Sequence, residues 1–250
     1  MKIIWLGCML MAFSLTHAQD HATGKITFEE KMDLHRNLPP ERQDMKDMMP
    51  QFNSSFWELT YHGDESLYQA QKQEETEYSS TQGGAHMMMR FGRDNRILYK
   101  NLADAKMIDS REFMQKQFLI TGPPTARKWK IGTEQKEILG YPCFQASFRV
   151  DSATQIVAWF TPQLEQANGP SDYQGLPGMI LQIDVNNGER TLTATNIQFD
   201  SVDTSIIIAP TKGKEVTDEE FKKIREEKMK EMGIQGGGPG PQMHIMIQRN

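Results

Sequence analysis

The chain has 250 residues and a formal net charge of −5 at pH 7, with 28 basic and 33 acidic residues. Its basic side chains are not interleaved with aromatic ones in patches, which argues against a nucleic-acid partner. A chain of this length can bury a large core without disulfide bonds, and Cys143 is the single cysteine after residue 18.

The first 18 residues have the composition of a secretory signal peptide. Lys2 precedes an apolar run from Ile3 to Leu15, and Ala18 closes the segment with a small residue. The run is shorter than the roughly 20 residues that span a bilayer, so we expect cleavage after Ala18. A lipoprotein signal ending at Cys8 is the weaker alternative, because the residues before it form a poor lipobox. No later segment is apolar enough to span a membrane, so we predict export to the periplasm or cell envelope.

Residues 19–233 are dominated by segments in which apolar and polar residues alternate, the period of a β-strand. In the first such segment, Glu30 interrupts an otherwise apolar face. Hairpins are predicted around Gly63, around residues 92–95 and around Asn187-Gly188, the last because Asn-Gly supplies the positive φ angles of tight turns. Regularly spaced strands with turns between them predict a mainly β domain, an antiparallel curved sheet forming an open barrel or sandwich.

Two segments depart from the strand pattern. Residues 37–50 are polar and flanked by prolines, which predicts a loop or a short helix. Thr217 and Glu220 have the spacing of a capping box, and Gly233 is placed to stop the helix that this box begins. Residues 234–250 open with a glycine–proline linker and contain methionine, so we expect a flexible tail.

The stretch GPSDYQGLPGMILQI, residues 169–183, combines glycines and a proline with an apolar run. It lacks the spacing of a phosphate loop and precedes a strand rather than a helix, while Asp172 argues against a membrane hairpin. Glycine permits unusual backbone conformations and proline fixes φ, so we predict a structural corner with its leucine folded inward. A ligand-contacting loop is the alternative. The residues of this corner are Tyr173, Gly175, Leu176, Pro177 and Gly178.

The same stretch closely resembles the signature of the GLPGLI family, secreted proteins of Bacteroidetes-type bacteria, with Met179 where the family name has leucine. Further pieces that resemble the family are Glu65–Gln69, Lys128–Phe148 and Val157–Pro170. The resemblance covers roughly residues 25 to 230. It implies an exported β protein, and it implies no reaction or catalytic residues.

The common catalytic signatures GxSxG, HExxH and CxxC are absent from the sequence. We therefore name no catalytic residue and expect a protein that is not an enzyme. Cys143 follows Pro142, which predicts a strand start or a sheet edge. As a nucleophile Cys143 would need a histidine base, and none is near in sequence, so we expect a buried structural thiol, with a reactive thiol as the alternative.

Methionine and histidine clusters raise the possibility of a soft metal, since 14 of the 17 methionines follow residue 18. Thioethers and imidazoles suit Cu(I), and a free amino terminus at Gln19-Asp20-His21 would suit Cu(II) or Ni(II) unless Gln19 cyclises. Core packing is the alternative, because methionine fills irregular cores and Met87 and Met89 share a strand face. The candidate metal ligands are His21, Met45, Met48, Met49, His86, Met87, Met88, Met89, Met243, His244 and Met246.

Together these features predict an exported envelope protein that binds or carries a ligand without catalysis. A curved sheet could enclose an apolar groove for an acyl chain or a hydrophobic peptide, which is an analogy with periplasmic lipoprotein carriers at the level of the fold. Copper handling through the methionine and histidine clusters is the alternative function. A carrier requires an apolar cavity, whereas copper handling requires soft ligands grouped together.

Overall fold

The structure, a computed structural model, describes residues 21–36, 38, 40–71, 76–82, 85–91, 95–232 and 243–249. Within these ranges the backbone alone is described at residues 42, 44, 76–82, 85–91 and 243–249. The predicted signal peptide, residues 1–18, and the predicted helix stop at Gly233 lie outside the described residues.

Strands dominate the described chain, which confirms the mainly β fold. Twelve of them form one sheet with the order β14-β8-β7-β6-β3-β2-β1-β13-β12-β11-β10-β9, antiparallel except where β14 pairs with β8. The strands are β1 (Thr23–Asp33), β2 (Phe52–His62), β3 (Glu65–Ala70), β4 (Thr76–Gln82), β5 (Ala85–Phe91), β6 (Ile97–Asn101), β7 (Lys106–Phe113), β8 (Lys116–Gly122), β9 (Lys130–Ile138), β10 (Tyr141–Arg149), β11 (Gln155–Thr161), β12 (Met179–Val185), β13 (Arg190–Gln198), β14 (Lys214–Val216) and β15 (Met243–Arg249).

This large sheet must be strongly curved, because a short segment joins two strands that lie far apart in it. β8 and β9 are ten strand positions apart, which is about 48 Å in a flat sheet with strands about 4.8 Å apart. The chain covers the distance from Gly122 to Lys130, and eight residues reach at most about 29 Å. The sheet therefore curls toward itself. Its edge strands β14 and β9 do not pair, so the barrel stays open.

The main core lies on the inner side of this curl. Ile26 and Phe28 of β1 are fully buried, and so are Leu59 of β2 and Ile183 of β12. Glu30 continues the inward face of β1 as a charged residue. Arg190 of the neighbouring strand β13 donates to its carboxylate at 2.5 Å, which explains how the apolar face tolerates the interruption.

Two of the three predicted hairpins are present, and one prediction is wrong. β2 and β3 turn around Gly63, and β12 and β13 turn through Asn187 and Gly188, which have φ angles of 53° and 92°. The hairpin predicted around residues 92–95 does not form, because β6 pairs with β3 and β7 rather than with β5. Leu98 in β6 is fully buried, so burial in the large sheet outweighs the local turn signal.

β4, β5 and β15 form a separate antiparallel sheet with the order β15-β5-β4, called the small sheet below. Its register runs from Phe91 opposite Thr76 and Met243 to Ala85 opposite Gln82 and Arg249. Part of the tail that was expected to be flexible is thus a strand paired with β5. The linker at residues 233–242 lies outside the described residues.

Helices are few and short in the described chain. The polar segment predicted as a loop or short helix contains a 3-10 helix, Pro40–Met48, and a second one spans Thr204–Ile206. The predicted helix α1 spans Asp218–Glu231, and both capping-box hydrogen bonds between Thr217 and Glu220 are present. None of the described helices has the length and apolar character needed to cross a membrane.

Candidate functional site

The segment between β11 and β12, residues 162–178, is called the corner loop here. Its side chains Leu164 and Leu176 are 0% and 2% exposed and join the same buried cluster as strands from both halves of the curled sheet. The amides of Met179 and Ile180 donate 2.9 Å hydrogen bonds to carbonyls within the loop, which fold the loop back against the start of β12. The corner loop therefore fills the inside of the curl.

Glycine is required at one position of the corner loop by contact as well as by conformation. Gly178 has a φ of 137°, and a Cβ atom there would lie 2.1 Å from the carbonyl oxygen of Thr161. Gly175 has a φ of 85°, but a Cβ atom would meet nothing within 4 Å. These two glycines thus serve the same turn under different constraints, and both support the structural interpretation of the motif.

Two polar contacts join the corner loop to strands on the opposite half of the sheet. Lys100 of β6 is fully buried, and its Nζ donates 2.9 Å hydrogen bonds to the carbonyls of Gly169 and Ser171. The Asn168 side-chain amide donates to the hydroxyl of Ser66 on β3, also at 2.9 Å. Because the loop connects β11 with β12, these bonds tie the two halves of the curl together.

A buried ion pair continues this network. The Arg96 guanidinium donates two hydrogen bonds to the Asp109 carboxylate, at 2.9 and 2.7 Å, and a third to the Ser171 hydroxyl at 2.9 Å. The Ser171 hydroxyl in turn donates to Asp172 at 3.1 Å. Arg111 supplies a second guanidinium to Asp109. The bidentate geometry is the strong form of a guanidinium–carboxylate contact.

The segment that joins β8 to β9 holds the corner loop from its other side. Arg127 forms an ion pair with Asp172, and its guanidinium lies 4.7 Å from the ring centroid of Tyr173. The Trp129 indole N–H donates to the carbonyl of Gln174 at 2.9 Å. Tyr173, predicted to pack beside the corner, is 7% exposed. The loop is therefore fixed through both its backbone and its side chains.

Burial and charge shift the pKa values of this network in opposite directions. Burial, reinforced by the cationic Arg96 and Arg127, lowers the pKa of Lys100 to about 7 despite the nearby carboxylate of Asp172. Burial alone would raise the pKa of Asp172, but Arg127 and Arg96 hold it well below its usual range. The pKa of Asp109 is also lowered, because the same kind of guanidinium contacts outweigh its burial.

A lysine with a pKa near neutrality is chemically suited to act as a base or nucleophile. Lys100 is nevertheless enclosed, and its two hydrogen bonds go to carbonyls of the corner loop. The arrangement holds the loop in place rather than presenting an amine to a substrate.

Cys143 lies on β10 and is fully buried. Its thiol donates a weak hydrogen bond of 3.4 Å to the carbonyl of Tyr141. Burial raises the pKa of the thiol to about 11, despite the nearby Lys136. Since the thiolate is the reactive form, this environment favours the structural alternative for Cys143.

The candidate metal ligands near the amino end are engaged in packing. Met45 and Met49 are buried with Leu34 in a small apolar cluster, and Met48 packs against that cluster. The His21 ring lies 4.3 Å from the ring of Phe199; residues 19 and 20 of the predicted amino-terminal site lie outside the described residues. In the described part of the chain, no three or more His, Cys, Asp or Glu side chains are grouped to hold a metal ion.

The remaining candidates are brought together by the small sheet. His86, Met87, Met88 and Met89 lie on β5, while Met243, His244 and Met246 lie on β15. The register places Met88 opposite Met246 and His244 opposite Arg90. Two clusters about 150 residues apart in sequence are thus neighbours in the fold.

The sequence analysis missed the charged network beneath the corner loop. Arg96 and Lys100 are single charges within or beside a strand, a pattern typical of an exposed strand face. The only local signal is that Leu98, Tyr99 and Lys100 are consecutive and all buried, so β6 is covered on both faces. Their common partner, the corner loop, is some 70 residues away and cannot be inferred from spacing.

A family model described as "Protein of unknown function (Porph_ging)" matches residues 148–182. It represents a Bacteroidetes-type domain of unknown function, and the matched range runs from the end of β10 through the corner loop into β12. It includes the GLPGM motif at residues 175–179. None of the curated proteins compared with the chain matches it.

Among solved structures, the chain is similar to PNGF-II in space group C2, with a TM-score of 0.53 and 16% identity over 81% of this chain and 32% of that one. PNGF-II in space group P21 gives a TM-score of 0.49 at 16% identity, over 81% and 33% of the two chains. An uncharacterized conserved protein from Thermus thermophilus gives 0.39 at 6% identity, over 80% and 96%. The chain thus spans about a third of PNGF-II, and the likeness concerns the fold alone.

Proposed function

We propose that this protein is an exported envelope protein of the GLPGLI type that binds a ligand without transforming it. Two features of the sequence support export and family. The first 18 residues have the composition of a signal peptide, and the matched range 148–182 contains the GLPGM motif.

The observation that carries the proposal is the packing of the corner loop. Leu164, Tyr173 and Leu176 occupy the inside of the curl, and Lys100 and Arg96 donate hydrogen bonds to the loop. A ligand inside the curl would have to displace these contacts. The proposed ligand therefore binds outside, on a surface that the curled sheet supports as a rigid base.

This packing weighs against the carrier form of the proposal, in which an acyl chain lies within the sheet. Copper handling is the second candidate, and one observation favours it. The pairing of β5 with β15 places histidine and methionine residues from both strands at adjacent register positions. Thioether and imidazole donors select soft metals such as Cu(I).

Native mass spectrometry of the mature protein from a periplasmic extract tests the proposal. We expect a stoichiometric noncovalent adduct that denaturation releases chemically unchanged, and a polypeptide mass that begins at Gln19. An adduct of lipid mass would support the carrier form, and copper taken up on addition of Cu(I) or Cu(II) would support the second candidate. A bound molecule recovered in a chemically altered form would contradict a role without catalysis.

A further inference from the structure

The small sheet has two faces of different chemistry. Met88 on β5 lies directly opposite Met246 on β15, so the two residues share a face. Residues two positions along a strand return to that face. His86 therefore lies on it beside Met88, and His244 lies on it beside Met246.

The other face is almost entirely apolar. In register, Met87 lies opposite Ile247, Met89 opposite Ile245, and Phe91 opposite Met243. A sheet with one apolar face packs that face against a protein and leaves the other for polar functions. The methionines of β5 thus divide into two kinds, and Met88 alone falls among the histidines.

We propose that His86, Met88, His244 and Met246 together form a binding site for Cu(I). The inference rests on the binding role proposed above and names the ligand and its site. Two imidazoles and two thioethers are an intermediate and a soft pair of donors, the combination that favours Cu(I) over hard ions such as Mg²⁺ and Ca²⁺.

The register gives separations that suit a single ion. Met88 and Met246 are directly opposite, and such pairs have Cα atoms about 4.5–5.5 Å apart. His86 with Met246, and Met88 with His244, are diagonal neighbours, about 7–8 Å apart. Imidazole and thioether side chains are long enough to converge on one ion across such distances.

The charged residues of this face offset each other. Arg90 lies opposite His244 on one side and opposite Glu77 of β4 on the other. The acidic partner of Arg90 is therefore in the same row of the sheet as the histidine. The remaining residues in register with the four ligands on this face, Ser79, Thr81 and Gln248, are uncharged.

The site joins segments that are distant in the chain, which gives it a property beyond affinity. β5 ends at Phe91 and β15 begins at Met243, so the four ligands meet only when the tail strand is paired. An ion that binds the paired form and not the separated one stabilises the pairing. Cu(I) should therefore hold the tail strand on the sheet.

The test is an anaerobic Cu(I) titration of the full mature chain in competition with a chromogenic Cu(I) chelator. The site variant carries Met88→Leu and Met246→Leu, and the matched control carries Met87→Leu and Met243→Leu on the opposite face. Leucine conserves volume, and thermal melting checks that both variants fold. We expect one Cu(I) per chain and a loss of at least about 100-fold in the site variant, the upper end of the loss caused by changes to outer-shell partners alone.

The control pair should retain the affinity of the native chain. Equal losses in both pairs, or no loss in the site pair, would overturn the site. Loss of binding in His21→Ala alone would place copper at the amino terminus and overturn it too. If the site variant fails to fold, His244→Gln replaces it with the same expected direction.

Hydrogen exchange gives a readout that a purely structural role would not move. Cu(I) should slow exchange of the amides at residues 243–249 in the native chain and in the Met87→Leu/Met243→Leu control, but not in the site variant. Unchanged exchange in the native chain would contradict the coupling of metal to the tail strand. A chain that binds no copper but carries another native adduct would sink this inference and leave the binding role in place.

Discussion

The corner loop and the small sheet are both assembled from distant parts of the chain, but they use polar residues differently. At the corner loop, Arg96, Lys100 and Asp109 are buried and bonded to one another or to the loop backbone. In the small sheet, histidine and methionine residues are aligned by strand register alone. The comparison indicates that the most distinctive motif of the sequence maintains the fold, while ligand chemistry is better sought in the small sheet.

The largest effect is expected at Gly178. In Gly178→Ala the new Cβ atom would lie 2.1 Å from a backbone carbonyl oxygen, at a φ of 137°. Because backbone atoms must move to relieve this contact, the free energy of unfolding should fall by more than about 4 kcal/mol. Urea unfolding followed by circular dichroism measures the loss, and failure to accumulate soluble protein is its extreme form.

Gly175→Ala is the matched control, because its φ is also positive but its Cβ atom has open space. Only the conformational cost of about 1–2 kcal/mol applies there. Equal losses at the two glycines would show that close contact at Gly178 does not matter, and would remove the corner loop from its structural role.

The buried ion pair gives the next largest effect. Asp109→Asn leaves Arg96 without a charged partner in a buried site, where losing one member of a pair costs about 3–5 kcal/mol. Glu231→Gln, which breaks the exposed pair with Lys228, is the control and should cost less than about 0.5 kcal/mol. Similar values for both in urea unfolding would mean that the network contributes little to holding the curl.

The sequence predicted the features of this molecule that are local. The Asn187-Gly188 turn, the capping box of α1 and the alternation of β1 depend on residues a few positions apart, and the structure contains each of them. The corner at residues 175–178 was also predictable, because glycine and proline restrict the backbone whatever surrounds them.

What the sequence did not predict depends on partners far along the chain. The β5–β6 hairpin failed because β6 is recruited by the large sheet, and the partner of Lys100 is a loop that begins 62 residues later. The pairing of β15 with β5 crosses most of the chain. Such contacts depend on which surfaces are buried together, a property of the whole fold rather than of any window of sequence.

A smaller effect, visible as a pH dependence, is expected at Lys100. Its pKa is lowered to about 7 in the folded protein from 10.5, so between these values the unfolded chain binds more protons than the folded one. Stability from this group therefore rises as the pH increases from 7 toward 10, by at most about 1.4 kcal/mol per pH unit. Below pH 7 the lysine is charged in both states and the full cost of burying it remains.

The measurement compares urea unfolding of the native chain and Lys100→Met at several pH values between 6 and 10. The variant loses two hydrogen bonds to the loop at every pH, so the informative quantity is the difference in slope, which should be positive for the native chain. Lys228→Met, at a half-exposed position of α1, controls for the removal of a positive charge. Parallel curves for the native chain and Lys100→Met would contradict the lowered pKa.

The smallest effect on global stability should come from removing residues 243–250. In the described chain β15 pairs with β5 and with no strand of the large sheet, so the main unfolding transition should change by less than about 0.5 kcal/mol. The loss should be local, because a two-stranded β4–β5 hairpin is marginally stable by itself, and amide exchange in these strands should become faster. A fall of several kcal/mol in the main transition would instead show that the two sheets unfold as one unit. The tail would then be part of the architecture, as the corner loop is, and the contrast between the two regions would be lost.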